Sequence, residues 1–217
     1  MVKTDEFRIQ KFVKFIDIFS ISNTLIGFLS IIYMIHENFH NACILLFIAV
    51  ILDSLDGFIS RKFKKSTEFG KNIDSFSDMI SFGIAPAIFV YLYFNNLIIS
   101  FVIIICGLLR LSRFNLISNI KKESFIGIPI PTLALLVCAL YFLEFNFLIS
   151  CFIIFIFSLL MISSIEYSKI SINYITFGIA IILIFLFLFN EKLFAYILFT
   201  GLILYSLSPL KNFFNKK

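Results

Sequence analysis

Four carboxylates, Asp53, Asp56, Asp74 and Asp78, stand inside a chain built mostly of hydrocarbon side chains. They fall in two short stretches, DSLDGFISR from Asp53 to Arg61 and GKNIDSFSD from Gly70 to Asp78, with eight residues between. An ionised carboxylate at bilayer depth costs about 2.5–3.5 kcal/mol even on a lenient insertion scale, so such groups persist where they work. Asp53 and Asp56 are three residues apart and Asp74 and Asp78 four, so each pair shares one face of its helix. Two such helices, facing each other, present four hard oxygen donors to a common point. That set suits Mg²⁺, Mn²⁺ or Ca²⁺ and disfavours soft metals. Divalent ions held there could neutralise and orient an anionic substrate and stabilise charge on a leaving group. Transfer at phosphorus relies on positioning and electrostatics, so carboxylates and metal suffice. Gly57 and Gly70 let a ligand approach the backbone, and Arg61, one turn past Gly57, can pair with an anionic group such as a phosphate through its planar fork. A single membrane Asp is as readily a structural hydrogen-bonding residue or a transporter's ion ligand. Four, with Gly and Arg in register, favour a functional site.

The elements that must position these groups are membrane helices. The chain has 217 residues, 60% of them hydrophobic, and a mean hydropathy of +1.03. These values predict an all-α, polytopic integral membrane bundle with no separate soluble domain. Apolar runs near the spanning length of about 20 residues occur at 17–35, 41–60, 75–94, 97–117, 130–145, 147–164, 173–189 and 193–208. They predict about eight transmembrane helices. The fifth and sixth are short and divided only at Glu144–Asn146, which leaves six to eight open.

Charge placement favours eight. With both termini inside, the inner ends collect Lys3, Arg8, Lys11, Lys14, Arg61, Lys62, Lys64, Lys65, Lys71, Arg110, Arg113, Lys121, Lys122, Lys169, Lys211, Lys216 and Lys217, leaving only Lys192 outside. This orientation puts the carboxylates near the cytoplasmic face of the cell membrane. Residues 2–16 are polar, with Ile9, Phe12, Val13 and Ile16 on one helical face; an interfacial amphipathic helix is expected there, and no cleavable signal peptide. The net charge of +5 reflects basic residues flanking the spans. They suit anionic lipid surfaces, and no nucleic-acid partner is expected. Cys43, Cys106, Cys138 and Cys151 lie singly in apolar runs as small packing residues, and His36 and His40 are too few for a site.

The two carboxylate stretches together resemble the signature of the CDP-alcohol phosphotransferases, D-x2-D-G-x2-A-R-x8-G-x3-D-x3-D. Seven of its eight fixed positions match, with Ser60 where the family has alanine. The resemblance implies that Asp53, Asp56, Asp74 and Asp78 hold two divalent cations, Mg²⁺ or Mn²⁺. It implies that Gly57, Ser60, Arg61 and Gly70 line the CDP moiety, and that Asp78 is the general base nearest the acceptor hydroxyl. A homodimer is expected on the same ground.

Further stretches resemble the phosphatidylserine synthase branch of that family. They are SNTLIG from Ser22, DSFSDMISFGIAPA from Asp74, CGLLRLSRFN from Cys106, FIGIPIP from Phe125 and MISSIEYSK from Met161. The resemblance therefore divides the chain into a cytoplasmic interfacial helix at 1–16, a transferase core at 17–170 and additional C-terminal helices with a basic tail at 171–217. It implies transfer of a phosphatidyl or archaetidyl group from CDP-diacylglycerol or CDP-archaeol to the hydroxyl of L-serine, releasing CMP. Ser81, Arg110, Arg113, Asn115 and Asn23 are candidates for the acceptor or the lipid phosphate. Arg110 and Arg113, three residues apart, could bind the serine carboxylate or a phosphate, or mark the inner end of their helix. Ser81 could touch the acceptor or bond its own backbone. Pro129 and Pro131 shape a loop, and Lys121 and Lys122 meet headgroups. Two alternatives stay open: another acceptor, such as glycerol 3-phosphate or an inositol phosphate, and, from a different class, a divalent-cation transporter.

Overall fold

The computed structural model describes residues 9–63, 67–117, 124–168 and 186–214, without side chains for Gln10, Lys11, 60–63, 124–125, 168 and 210–214. The elements are α1 (Ile9–Phe12), α2 (Asp17–Ile35), α3 (Phe39–Phe63), α4 (Glu68–Asp78), a π-helical segment (Met79–Ile84), α5 (Ala85–Phe94), α6 (Leu97–Ile117), β1 (Ser124–Ile126), α7 (Ile130–Phe142), α8 (Phe147–Ile162), β2 (Glu166–Ser168) and α9 (Glu191–Phe214). The chain is an all-α polytopic membrane protein. Among the described residues, five helices are long and apolar enough to cross a membrane: α2, α3, the continuous α4–π–α5 rod over Glu68–Phe94, α6 and α9. The apolar helices α7 and α8 are shorter. Of the expected 173–189 span, residues 173–185 lie outside the described residues, as do residues 2–8 of the interfacial helix, Lys121 and Lys122.

Asparagines start four of the helices at one end of the bundle. Side-chain oxygens of Asn38, Asn96, Asn146 and Asn190 accept from the main-chain N–H of Asn41, Ile99, Leu148 and Leu193, giving α3, α6, α8 and α9 a partner for an otherwise orphaned donor. The tight turns before three of them place Glu37, Asn95 and Glu144 at positive φ. At this end His40 meets Glu191 at 2.9 Å and Lys192 meets Glu144 at 3.1 Å. The carboxylates lie at the other end.

Two close approaches set the helix positions around them. A Cβ on Gly27 would lie 2.8 Å from both Cα and Cβ of Ser81, so only glycine lets α2 press against the π segment. A Cβ on Gly107 would lie 3.9 Å from Cα of Gly83 and 3.2 Å from Ile130, which brings α6 against the same segment. The wide turn has a local cause. Pro86 has no N–H to give the carbonyl one turn back, and its ring crowds that carbonyl, so the rod widens just ahead of it. At the carboxylate end, β1 and β2 form a short antiparallel ribbon with Phe125 opposite Tyr167. So short a ribbon leaves no periodic trace in the sequence.

Candidate active site

Asp53 on α3 and Asp74 and Asp78 on α4 each bring a carboxylate oxygen to within 4.8 Å of the others. Helical spacing led to the expectation of all four carboxylates at a common point; these three meet and Asp56 is not among them. Asp56, buried one turn beyond Asp53, accepts a hydrogen bond at Oδ2 from the Ser20 hydroxyl.

Helix α2 sets the orientation of α4. Ser77 Oγ donates to the Ser20 carbonyl at 2.7 Å, and Ser81 Oγ donates to the Asn23 carbonyl at 3.0 Å. Serines four residues apart lie on one face, so these bonds form a seam along α2 and turn the adjoining face, with Asp74 and Asp78, toward α3. Ser81 is fully buried in this seam, with its hydroxyl bonded to α2. The Asn23 side chain is also buried, and neither its nitrogen nor its oxygen has a partner.

The arginines reach different places. Arg110, buried on α6, donates Nε–H to the Ile128 carbonyl at 2.7 Å and lies over the Phe114 ring at 5.7 Å. Asp78 and Asp53 are within its electrostatic reach. Arg113 points instead to main chain: Nη1 donates to Ile162 O at 2.8 Å, and Nη2 to Met161 O at 2.9 Å and Ile126 O at 3.0 Å. Three carbonyls from α8 and β1 thus converge on one guanidinium, which fastens the ribbon to α6. Asn115 Oδ1 accepts from Ser75 Oγ at 3.0 Å, joining the end of α6 to α4 beside Asp74.

Gly57 follows Asp56 on α3 and is half-buried. At Gly70 a Cβ would lie 2.7 Å from Oδ1 of Asp17 and 3.2 Å from Oγ1 of Thr67, whose hydroxyl caps α4. Asp17 therefore belongs to the neighbourhood of the site. It is buried at the start of α2, and its Oδ2 accepts from the Lys14 N–H at 2.7 Å. Sequence reasoning passed over Asp17, Ser20 and Ser77. The signal was there for α2: Asp17, Ser20, Asn23 and Gly27 recur at helical spacing along an otherwise apolar span. The side chains of Ser60 and Arg61 lie outside the described residues.

The residues present fit a hard divalent cation. Metal–oxygen distances of about 2.0–2.6 Å place ligand oxygens up to about 5 Å apart across an ion, comparable with the 4.8 Å limit of the three carboxylates. Oδ1 of Asp78 is buried with no hydrogen-bond partner, an arrangement that a cation would satisfy.

The sequence profile of the CDP-alcohol phosphatidyltransferases matches residues 16–165, from the start of α2 to the edge of β2. The chain belongs to that family. It is 42% identical over 171 residues to a protein of Methanothermobacter thermautotrophicus named archaetidylserine synthase, covering 75% of this chain and 73% of the relative. It is 38% identical over 169 residues to a CDP-diacylglycerol–serine O-phosphatidyltransferase of Methanocaldococcus jannaschii, covering 75% and 78%. A protein of the same name from Helicobacter pylori is 38% identical over 169 residues, covering 70% and 71%. The chain is thus a membrane transferase of phospholipid synthesis, and family membership decides for group transfer over ion transport. The CDP-alcohol phosphatidyltransferase match takes in the four carboxylates, both arginines and the Gly127 turn, and stops short of Tyr167 and α9.

Proposed function

We propose that this CDP-alcohol phosphatidyltransferase transfers the lipid phosphoryl group of CDP-diacylglycerol or CDP-archaeol to the hydroxyl of L-serine. The observation that carries this reading is the convergence of Asp53, Asp74 and Asp78, in a chain similar to proteins named for serine transfer. Two divalent ions, Mg²⁺ or Mn²⁺, would be held by Asp53, Asp56, Asp74 and Asp78, and when bound would neutralise the pyrophosphate and the departing phosphate. Gly57, Ser60, Arg61 and Gly70 are assigned to the cytidine nucleotide. Asp78 takes the proton from the serine hydroxyl as that oxygen forms its bond to the lipid-bearing phosphorus. The bond from this phosphorus to the bridging oxygen breaks, CMP leaves, and the proton passes from Asp78 to solvent. Water exclusion by the apolar bundle strengthens each of these electrostatic contacts. Ser77 and Ser81 hold the helix of Asp78 to α2, and Arg113 holds the ribbon, so all three act by positioning.

The distribution of basic residues supports a site and termini at the cytoplasmic side of the cell membrane. A homodimer is proposed from the family resemblance. The test is an acceptor panel. Purified protein with Mn²⁺ and either CDP-lipid receives serine, glycerol 3-phosphate or inositol phosphate, and CMP and lipid product are read out. CMP with a serine lipid, from serine alone, is expected. Turnover with another acceptor in place of serine would overturn the assignment of substrate.

A further inference from the structure

Tyr167 and Tyr205 lie beyond residue 165, outside the segment shared with the family profile. Tyr167 on β2 is fully buried, and its hydroxyl has no hydrogen-bond partner. A buried phenol normally finds a partner. Its ring lies 5.5 Å from that of Tyr205 on α9. Helix α9 is fixed along the bundle by a series of such contacts, Phe194 on Phe47 at 5.2 Å, Phe199 on Phe145 at 5.3 Å and then Tyr205 on Tyr167. Tyr205 in turn lies within electrostatic reach of Arg110. Arg110 has its Nε committed to Ile128, the residue two positions past β1, and β1 pairs with the strand that bears Tyr167. The ribbon thus ties the segment that holds Arg110 to the strand bearing Tyr167, against which Tyr205 packs.

We infer that Arg110, Tyr205 and Tyr167 form the subsite for the carboxylate of the amino-acid acceptor, with α9 completing it. This rests on the serine reading above and extends it to the C-terminal helix. The acceptor's own dimensions support the placement. In serine the hydroxyl and the carboxylate are separated by two carbons, so a hydroxyl at Asp78 puts the carboxylate within one residue's reach. Among the described residues, the cation in electrostatic reach of Asp78 is Arg110. A guanidinium supplemented by phenol donors matches a carboxylate, which accepts several hydrogen bonds at once.

The experiment compares the wild type with Tyr167→Phe and Tyr205→Phe, which keep both rings and remove one donor each. KM is measured for serine, for L-serinamide, which lacks the carboxylate, and for CDP-diacylglycerol. Stabilisation by CDP with Mn²⁺ serves as the control for folding. Each variant should raise the serine KM about tenfold, the effect of one hydrogen bond to a charged group. The KM values for L-serinamide and CDP-diacylglycerol should stay within about twofold of the wild type on the same reasoning. Equal losses on serine and serinamide would overturn the inference in favour of packing. A rise confined to the CDP-diacylglycerol KM would overturn it in favour of a lipid-phosphate subsite. A wild type that uses another acceptor and not serine would refute the function itself, independently of either variant.

Discussion

Replacing Gly27 by alanine tests whether the α2 seam places Asp78. The added Cβ would stand 2.8 Å from Cα and Cβ of Ser81. Carbon atoms rest at about 3.5–4.0 Å, so the helices must separate by about 0.7–1.2 Å. Ser81 is one turn from Asp78, and its bond to Asn23 O would be stretched by the same movement. Overpacking of this kind destabilises by about 1–3 kcal/mol. A misplacement of about 1 Å at a reacting group lowers the rate about 100-fold. CMP release from CDP-diacylglycerol at saturating serine should therefore fall about 100-fold, by more than the loss of folded protein explains. Gly201→Ala is the matched control, because a Cβ there meets nothing within 4 Å. It should leave turnover unchanged and stabilise α9 by about 0.5–1 kcal/mol. A Gly27→Ala protein that turns over at the wild-type rate would refute the claim that this contact sets the position of Asp78.

Ser20→Ala removes the hydroxyl that holds Asp56; one hydrogen bond to a charged group is worth about 1.5–3 kcal/mol, so the KM for the CDP-lipid should rise about 10- to 100-fold. Arg113→Met leaves the carbonyls of Ile126, Met161 and Ile162 without their donor and should destabilise by about 3 kcal/mol or more, read in thermal unfolding. Gly127→Ala should act the same way, since Gly127 has φ +77° and a side chain there would collide with the Met161 carbonyl. Chelation with EDTA should abolish CMP release, and added Mg²⁺ or Mn²⁺ should restore it.

The part of the site that obeys helical period is legible in the amino-acid sequence. The four-residue spacing of Asp74 and Asp78 fixes their shared face, whereas the three-residue pair is split, Asp53 joining them and Asp56 bonding to Ser20. Helices α2 and α6 could be bounded because long apolar runs end at Ile35 and Ile117. What a polar side chain bonds to across the bundle was not legible. Ser81 is compatible with its own helix, a substrate or a neighbouring carbonyl, and only the close approach at Gly27 selects the Asn23 carbonyl. Arg110 and Arg113, three residues apart, look equivalent in sequence. The ribbon and the end of α8 separate them, giving Arg113 the carbonyls of Ile126, Met161 and Ile162 and Arg110 that of Ile128. Tyr205 had no motif to announce it. Its place depends on how α9 docks, which aromatic contacts along Phe47, Phe145 and Tyr167 determine.

The most direct test of a metal-dependent nucleotide site at these carboxylates is thermal unfolding with Mn²⁺ alone and with Mn²⁺ plus CDP, in the wild type and in Asp74→Asn. Saturation at about 100 times Kd stabilises by about 2.7 kcal/mol, equivalent to roughly 5–10 °C for a chain of this size. The predicted result is a shift of that order with CDP and Mn²⁺ together, beyond that of Mn²⁺ alone, and its loss in Asp74→Asn. Equal shifts with and without CDP, or a CDP shift that survives Asp74→Asn, would contradict the assignment of the cluster to the nucleotide.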